Sequence, residues 1–261
     1  MRVLRGLPGW ALGLVGLAGL AALLEVVPRS GLVQAKYLPP FSTLVRALGQ
    51  QVGTRGFWSA LGHTLLAWAI GLAIAVAAGA AVGLLLGSVR FLHAATASTV
   101  EFLRPIPSVA LIPLAVLLYN VRIQSTLLLV VYASFWQVLL QVLAGVSDVD
   151  PVARQTARSY RLGPWARLRY LVWPTALPYL LTGIRLAAAV ALILAVTAEL
   201  VIGSPGLGHE IALAQSSGES AVPVLYALVL VTGLVGVAVN AVFRVGERAL
   251  LPWHPSMRAP V

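Results

Sequence analysis

The sequence predicts an all-α protein that crosses a membrane several times, and three observations carry this prediction. Among the 261 residues, 59% are apolar and 10% are charged, and the mean hydropathy is +0.92. A soluble domain carries about 25% charged residues. Apolar runs long enough to cross a bilayer, about 20 residues each, recur along the chain. The arginines stand mostly between these runs, where membrane proteins carry their cytoplasmic loops.

Composition also excludes several classes of function. A net charge of +10 and a pI near 11 are typical of nucleic-acid-binding proteins, but these arginines are spread over short segments, so we expect no nucleic-acid partner. The chain has no cysteine and no Gly-x4-Gly-Lys-Ser loop, which excludes thiol chemistry and ATP hydrolysis of that type. We predict no catalytic residue and no cofactor. We also predict no metal site, because the histidines are scattered without a second ligand at a metal-site spacing: His63, His93, His209 and His254.

The first predicted span covers residues 7–27. Arg2 and Arg5 precede it and favour a cytoplasmic N-terminus. No convincing small-residue cleavage site follows, so we expect this span to be retained. Residues 28–60 are more polar. Apolar side chains recur there at helical spacing and predict a helix on the outer surface: Phe41, Leu44, Val45 and Leu48.

The next two predicted spans differ in regularity. Residues 61–87 are rich in Gly and Ala, which let helices approach closely, so we expect this span inside a bundle. Residues 91–119 are apolar but interrupted by Arg104-Pro105-Ile106-Pro107 and again by Pro113. Irregular backbone at membrane depth is tolerated only where protein or a water-filled cavity satisfies it. We therefore predict a third span that is broken near its cytoplasmic side.

Three further spans are predicted at 125–146, 176–202 and 223–243, with an outer loop at 203–221. Six spans place both termini in the cytoplasm and make the chain a multi-pass protein of the inner (cytoplasmic) membrane. The charge distribution favours this orientation, because most arginines then fall on the inner side. The basic residues left on the outer side are Arg29, Lys36, Arg46, Arg55 and Arg122.

Residues 147–175, between the fourth and fifth spans, form the predicted cytoplasmic loop, whose local signals indicate helix–turn–helix. Asp150 is a good N-cap, and Pro151 suits the first helical position. Gly163-Pro164 then breaks this helix and starts another. Charge alone is equally compatible with a basic loop that lies on anionic lipid.

Each helix of this loop has its own faces. The first has an apolar stripe (Ala153, Ala157, Tyr160) and a basic stripe (Arg154, Arg158, Arg161), and the second has an apolar face (Trp165, Leu168, Val172). Pro174 and Pro178 are expected to end the unit and turn the chain into the next span.

The spacing within this loop resembles the signature loop of ABC-importer permeases, which is Glu-Ala-Ala, three residues, Gly, nine residues, Ile, one residue, Leu-Pro. Gln155-Thr156-Ala157 stands where Glu-Ala-Ala stands, Arg161 at the Gly, Leu171 at the Ile, and Trp173-Pro174 at the Leu-Pro. Ala157 and Pro174 match, whereas Gln155, Thr156 and Arg161 depart. The resemblance extends to further stretches at 103–107, 143–151, 176–187 and 198–208, and is greatest to the sulfonate, taurine and nitrate branch.

This resemblance implies a type I permease bundle of six transmembrane helices with a cytoplasmic coupling helix. It implies as partners a dimeric ABC ATPase, an extracytoplasmic solute-binding protein and a second permease subunit, as a homodimer, all in contact with membrane lipid. The helix at 151–162 would dock on the ATPase with its apolar stripe, while its arginines pair with acidic rims. The ATPase-coupling residues would be Gln155, Thr156, Ala157, Tyr160, Arg161, Gly163 and Pro174.

The departure at Arg161 has two possible consequences. The family's Gly allows a positive φ without steric cost, and Arg in that conformation costs roughly 1 kcal/mol or more. Either Arg161 is strained, or the first helix continues through it and Gly163 takes the left-handed conformation. We predict the second, because Gly163 lies just before Pro164 and Arg161 continues the basic stripe.

Candidate pathway residues within the spans are Arg104, with its neighbours Pro105 and Pro107, and Glu199. Arg104 either extends to the headgroups, pairs with Glu101, or faces the pathway and meets an anion. Glu199 lies about 21 Å beyond Arg185 along its helix, in the outer half of the bilayer. It is either a functional acid of the pathway or a hydrogen-bonded structural acid.

Two functions are compatible with these observations. The first is the permease subunit of an ATP-driven ABC importer for a small solute, an organic or inorganic anion such as a sulfonate, taurine or nitrate. The second is a self-sufficient secondary carrier or a membrane scaffold. A proton-coupled carrier usually needs a relay of ionisable groups inside the membrane. Only Glu199 and two arginines near helix ends qualify here, so the importer is preferred.

Overall fold

The computed structural model describes residues 9–34 and 36–250, and within them the chain is helical and contains no β-strand. The predicted all-α class is thereby confirmed. Arg2, Arg5, the first two residues of the span predicted at 7–27, and His254 lie outside the described residues. The α-helices in chain order are α1 (Gly9–Arg29), α2 (Phe41–Val52), α3 (Arg55–Ser88), α4 (Arg90–Leu103), α5 (Ile112–Tyr119), α6 (Ile123–Ser147), α7 (Pro151–Ser159), α8 (Pro164–Arg167), α9 (Trp173–Ile202), α10 (Leu207–Ser216) and α11 (Val222–Leu250).

Among residues 9–34 and 36–250, five helices are long and apolar enough to cross a membrane, and the bent pair of α4 and α5 gives a sixth span when counted as one. This agrees with a bundle of six transmembrane helices. The helix α3 begins at Arg55, ahead of the predicted start at residue 61. Thr54 explains the earlier start, because its side chain caps the helix by accepting a hydrogen bond from the Phe57 N–H at 3.3 Å.

The core of the bundle forms where α6 packs against α3 and α9. The glycines of α3 lie directly on valines of α6: a Cβ added at Gly79 would stand 2.8 Å from the Cβ of Val138, closer than real Cβ contacts. Gly83 approaches Val142 in the same way. The predicted close packing of the second span is confirmed, and α9 adds a row of buried alanines: Ala187, Ala188, Ala191, Ala195 and Ala198.

The helix predicted for the third span is broken where the sequence predicted a break. The helices α4 and α5 are bent by 82°, and a short 3₁₀ turn, Ser108–Leu111, lies between them. Pro105 and Pro107 lack an N–H and restrict the residues before them, so the α-helix cannot continue. The carbonyl of Leu103 at the break accepts a hydrogen bond from the Tyr132 hydroxyl at 2.7 Å. Protein thus satisfies part of the irregular backbone.

The prediction that Pro174 and Pro178 end the helical unit is wrong. The chain stays helical from Pro164 to Ile202. A π-helical segment, Leu168–Val172, precedes Pro174, and the N–H of Trp173 reaches back five residues to the carbonyl of Leu168. This wider turn accommodates the proline, whose ring would otherwise meet the carbonyl four residues before it.

The outer segment predicted as a loop at 203–221 contains a packed helix. Leu207, Ile211 and Ala214 are buried along one face of α10, which packs against α9, α11 and α3. Their spacing of four and three residues is helical and was present in the sequence. The loop prediction was therefore wrong for residues 207–216.

The amphipathic helix predicted near residues 41–48 is confirmed as α2. Leu44 and Ala47 are its buried residues, and the helix packs against α11. Glu25 near the end of α1 accepts hydrogen bonds from both the backbone N–H and the hydroxyl of Ser42 at the start of α2. The first span is thus joined to the bundle mainly through α2.

Candidate functional site

The helix α7 begins as the sequence predicted. The side chain of Asp150 accepts a hydrogen bond from the Val152 N–H at 2.7 Å, and Pro151 occupies the first turn. This cap satisfies one of the N–H groups that a helix start leaves without a partner. The helix is therefore short but well defined.

Two of the three residues of the predicted docking stripe of α7 do not face outward. Ala157 is 5% exposed and Ala153 is half-buried, so both pack against the rest of the chain. Tyr160, the third residue of the stripe, is 79% exposed, and Gln155 and Thr156 are exposed as well. The placement of Ala157 on a free docking face was wrong, because its apolar side chain anchors α7 to its own protein.

The prediction that the helix continues through Arg161 is also wrong. Arg161 has φ 54°, and Gly163 has an extended backbone with φ −64°. The N–H of Arg161 bonds to the carbonyl of Arg158, and the N–H of Leu162 bonds to that of Ala157, both at 2.9 Å. These two bonds define a Schellman ending, which requires a left-handed residue after the cap. Arg161 therefore adopts the conformation that the family's Gly would adopt.

The remaining predicted coupling residues flank this turn. Gly163 precedes α8 in the turn itself, and Pro174 lies in the first turn of α9, directly after the π-helical segment. Trp165 at the start of α8 is 72% exposed. The loop thus presents exposed aromatic and polar side chains on both sides of Arg161.

Arg104 lies at the break of the third span. It caps the end of α4, and it is exposed together with Pro105 and Pro107. Within residues 9–34 and 36–250, no salt bridge joins it to Glu101. Arg185 differs, because its guanidinium donates to Glu247 of α11 at 3.0 Å.

Glu199 is buried among three helices. It is 1% exposed, and its Oε2 accepts hydrogen bonds from the Thr64 hydroxyl at 2.8 Å and the Gly208 N–H at 3.1 Å. The Thr64 oxygen in turn accepts from the Leu207 N–H at 2.9 Å. The pair Glu199–Thr64 therefore caps the start of α10 and joins it to α9 and α3.

Two glycines make this cap possible. Gly206 has φ 158°, and a Cβ there would overlap the carboxylate of Glu199. A Cβ at Gly208 would overlap the carbonyl of Val196 and the backbone N of Leu200. The sequence reasoning missed Thr64, Gly206 and Gly208, although a glycine-rich turn after an apolar span was a usable signal.

Glu199 also lines a cavity of about 420 Å³. Its Oε1 has no hydrogen-bond partner among the described residues. Thr126 and Ser204, whose hydroxyls are 3.0 Å apart, line the same cavity together with Arg122. No hydrogen bond or salt bridge in the described part of the chain joins Glu199 to Arg104.

The sequence matches a known family over most of its length. Residues 75–252 match the family described as "Binding-protein-dependent transport system inner membrane component". The chain is 32% identical over 244 residues to the taurine transport system permease protein of Escherichia coli (strain K12), covering 90% of this chain and 88% of that protein. It is 27% identical to a putative aliphatic sulfonates transport permease protein of Bacillus subtilis (strain 168), with 95% and 89% covered.

A third relative is a nitrate import permease protein of Synechocystis, 26% identical over 184 residues, covering 70% of this chain and 66% of that protein. Among solved structures, an inward-facing methionine ABC transporter matches with a TM-score of 0.62 at 16% identity, covering 72% of this chain and 92% of that one. An amino acid ABC transporter matches with a TM-score of 0.62 at 20% identity, covering 74% and 94%. The structural likeness concerns the fold.

The fold, the broken span and these matches together define a non-catalytic membrane subunit of a transporter. The chain belongs to the family of binding-protein-dependent transport system inner membrane components. It is a permease subunit of an ABC importer and an inner-membrane protein.

Proposed function

We propose that this chain forms, with a second permease subunit, the pathway of an ATP-driven importer for a small anion such as a sulfonate, taurine or nitrate. The observation that carries the proposal is the similarity to permeases named for taurine, aliphatic sulfonates and nitrate over most of the chain. In such an importer the solute-binding protein supplies much of the selection. The chain supplies the route through the membrane.

Arg104 supports an anionic solute. It is an exposed cation at a break in a span, without an acidic partner among the described residues. Arg185, by contrast, is paired with Glu247. A lone guanidinium that faces a pathway attracts a sulfonate or nitrate through its planar set of donors. Arg104 and the adjacent Pro105 and Pro107 are therefore proposed as pathway residues on the inner side, and Glu199 as one on the outer side.

The exposed apolar surface of the broken span supports a second permease subunit. The helix α4 has no buried residue, and Phe102 is 74% exposed. Phe91 in α4 and Leu117 in α5 are similarly exposed. A homodimer that pairs these surfaces would enclose the break, where Arg104 lies, between the two subunits. Both termini are proposed to lie in the cytoplasm.

A dimeric ATPase is the proposed partner of α7. The exposed side of α7 carries Val152, Thr156 and Tyr160, a mixed apolar and polar surface on a short rigid helix. We expect this side to insert into a cleft of the ATPase, with Gln155 beside it. Closure of the ATPase on ATP would move α7 and, through the continuous helix from Pro164 to Ile202, tilt the fifth span.

Reconstitution into vesicles tests this proposal. The permease is assembled in vesicles with and without its ATPase and solute-binding protein. Uptake of taurine, an alkanesulfonate and nitrate is then measured with ATP supplied inside the vesicles, outside them, or not at all. We expect uptake of at least one of these anions only when both partners and ATP are present. Uptake by the permease alone would contradict the proposal and support a secondary carrier.

Charge variants of Arg104 test the nature of the solute. We expect Arg104→Gln to lower the uptake rate about tenfold and Arg104→Glu to lower it further, because the carboxylate repels an anion. ATPase co-purification should remain unchanged in both variants. Equal rates for the two variants would assign Arg104 a structural role or the transporter a neutral solute.

A further inference from the structure

A basic cavity of about 540 Å³ opens beside the loop between α6 and α9. The last residues of α3 and α6, one face of α7, the short helix α8 and the π-helical segment before α9 form its walls. Three arginines line it: Arg154, Arg158 and Arg167. Neither Asp nor Glu is among its lining residues. The cavity therefore gathers three positive charges at one place on the chain.

The described residues do not neutralise these charges. Arg154 donates a hydrogen bond to a backbone carbonyl near the end of α6. The Nε of Arg167 is buried and has no hydrogen-bond partner among the described residues. The nearest carboxylates in sequence are engaged elsewhere: Asp148 accepts a tyrosine hydroxyl of α9, and Asp150 caps α7. A buried donor without a partner costs free energy, so an acceptor from outside the chain is expected.

The arginines and the proposed ATPase-facing surface lie on opposite sides of α7. At 100° per residue, Val152 and Thr156 stand roughly 160° to 200° around the helix axis from Arg154. Arg158 shares the side of Arg154 and lines the same cavity. One side of α7 is thus left for the ATPase, while the other faces the ends of the membrane spans.

The rest of the cavity wall suits a lipid. Leu168, Leu171 and Val172 supply apolar surface, and Trp165 lines the cavity while remaining largely exposed. The cavity lies at the ends of α3 and α6, and the proposed topology places these ends at the cytoplasmic surface of the membrane. Tryptophan is enriched at that depth, and basic pockets between spans on the cytoplasmic side bind anionic headgroups.

We infer that this cavity binds the phosphate of an anionic phospholipid of the inner leaflet, with its acyl chains along the apolar wall. Arg158 and Arg167 supply the guanidinium donors, which match phosphate oxygens in pairs. Arg154 holds the end of α6 to α7 and adds its charge. The inference rests on the proposed cytoplasmic placement of the loop. In the assembled transporter, one side of α7 would then contact lipid and the opposite side would contact the ATPase.

Native mass spectrometry of the assembled permease–ATPase complex tests this inference. The complex is titrated with phosphatidylglycerol and, separately, with phosphatidylcholine, and retained lipid is counted for each permease subunit. We expect phosphatidylglycerol to be preferred, and the double variant Arg158→Gln/Arg167→Gln to bind it about tenfold more weakly. Arg169→Gln is the matched control, because Arg169 is an exposed arginine of the same loop outside the cavity lining. It should bind phosphatidylglycerol as the unchanged chain does.

Each alternative gives a different result. An equal loss in Arg169→Gln would show general attraction of the loop to anionic lipid and overturn the cavity assignment. Retained lipid with loss of ATPase co-purification in the double variant would assign the arginines to the ATPase instead. Displacement of phosphatidylglycerol by inorganic phosphate at equal affinity would identify a free-phosphate site. Since the double variant could misfold, the single variant Arg158→Gln is followed in parallel by thermal melting. Phosphatidylglycerol should raise its melting temperature less than that of the unchanged complex, and an equal rise in both would overturn the inference.

Discussion

The two junctions at the ends of α9 are built in opposite ways. At the junction after α9, which the proposed topology places on the outer side (the outer junction), Glu199, Thr64 and Gly208 are buried and joined by hydrogen bonds, so α10 has one defined position. At the junction before α9, which the proposed topology places on the inner side (the inner junction), most of residues 150–170 are exposed. There α7 has one buried side chain, Ala157, and a hydrogen bond from Arg154 to the end of α6. The first junction is thus fixed by buried hydrogen bonds, whereas the second exposes a basic surface that partners can contact.

Substitution of Gly208 by alanine should give the largest effect at the outer junction. The new Cβ would overlap backbone atoms of Val196 and Leu200, which cannot move without displacing α9. We expect a loss of about 3 kcal/mol or more, seen as poor yield and early melting in detergent. Gly163→Ala is the matched control at the inner junction, because nothing lies within 4 Å of its Cβ and its φ is −64°. Equal loss in both variants would remove the contrast between the junctions.

Ala157→Asp separates folding from docking at the inner junction. Ala157 is buried, so the variant places a carboxylate against the protein's own core and should lower stability by about 2 to 3 kcal/mol. Thr156→Asp adds the same charge on the exposed side of α7. We expect Thr156→Asp to keep the melting temperature and to reduce ATPase co-purification. If the Thr156→Asp variant co-purifies with as much ATPase as the unchanged chain, this side of α7 is not the docking surface.

Replacements of Glu199 distinguish its two carboxylate oxygens. Glu199→Ala leaves the Gly208 N–H without its acceptor and leaves the Thr64 hydroxyl only the Ala60 carbonyl at 3.2 Å, which should cost about 2 kcal/mol of stability. Glu199→Gln keeps one acceptor oxygen and removes the charge. We expect the Gln variant to assemble with the ATPase and to transport more slowly, if its Oε1 serves the pathway. A Gln variant that transports at the full rate would leave Glu199 a purely structural role.

Local signals explain which features the sequence could predict. The apolar runs predicted the long helices, and Asp150-Pro151 predicted the start of α7, because a cap and its helix are neighbours in the chain. The two prolines after Arg104 predicted the break of the third span for the same reason. Each of these features depends on residues within a few positions of one another.

The features that were missed or predicted wrongly depend on distant residues or on competing local rules. Thr64 and Glu199 are 135 positions apart, so no local pattern showed that the acid caps α10. Pro174 does not end the helix, because the π-helical segment before it provides the space that the proline ring needs. Arg161 took the strained conformation because the bonds that end α7 require a left-handed residue there.

Relief of the backbone strain at Arg161 is the smallest effect that we expect. It also tests most directly whether the turn after α7 holds that helix in place. Arg161→Gly removes the cost of a side chain at φ 54°, about 1 kcal/mol, while greater freedom of the unfolded chain offsets part of the gain. Arg161→Ala is the matched control, because it loses the same charge and keeps the strain. We expect the Gly variant to melt above the Ala variant by about 2 to 4 °C.

The same pair of variants shows what the arginine contributes. If the charge of Arg161 contacts an acidic residue of the ATPase, both variants should co-purify with less ATPase, and to the same extent. If the shape of the turn positions α7, only the Ala variant should co-purify with less ATPase, because glycine adopts the left-handed conformation without strain. A Gly variant that melts below the Ala variant would mean that the Schellman turn at 160–162 does not hold α7 in the assembled transporter.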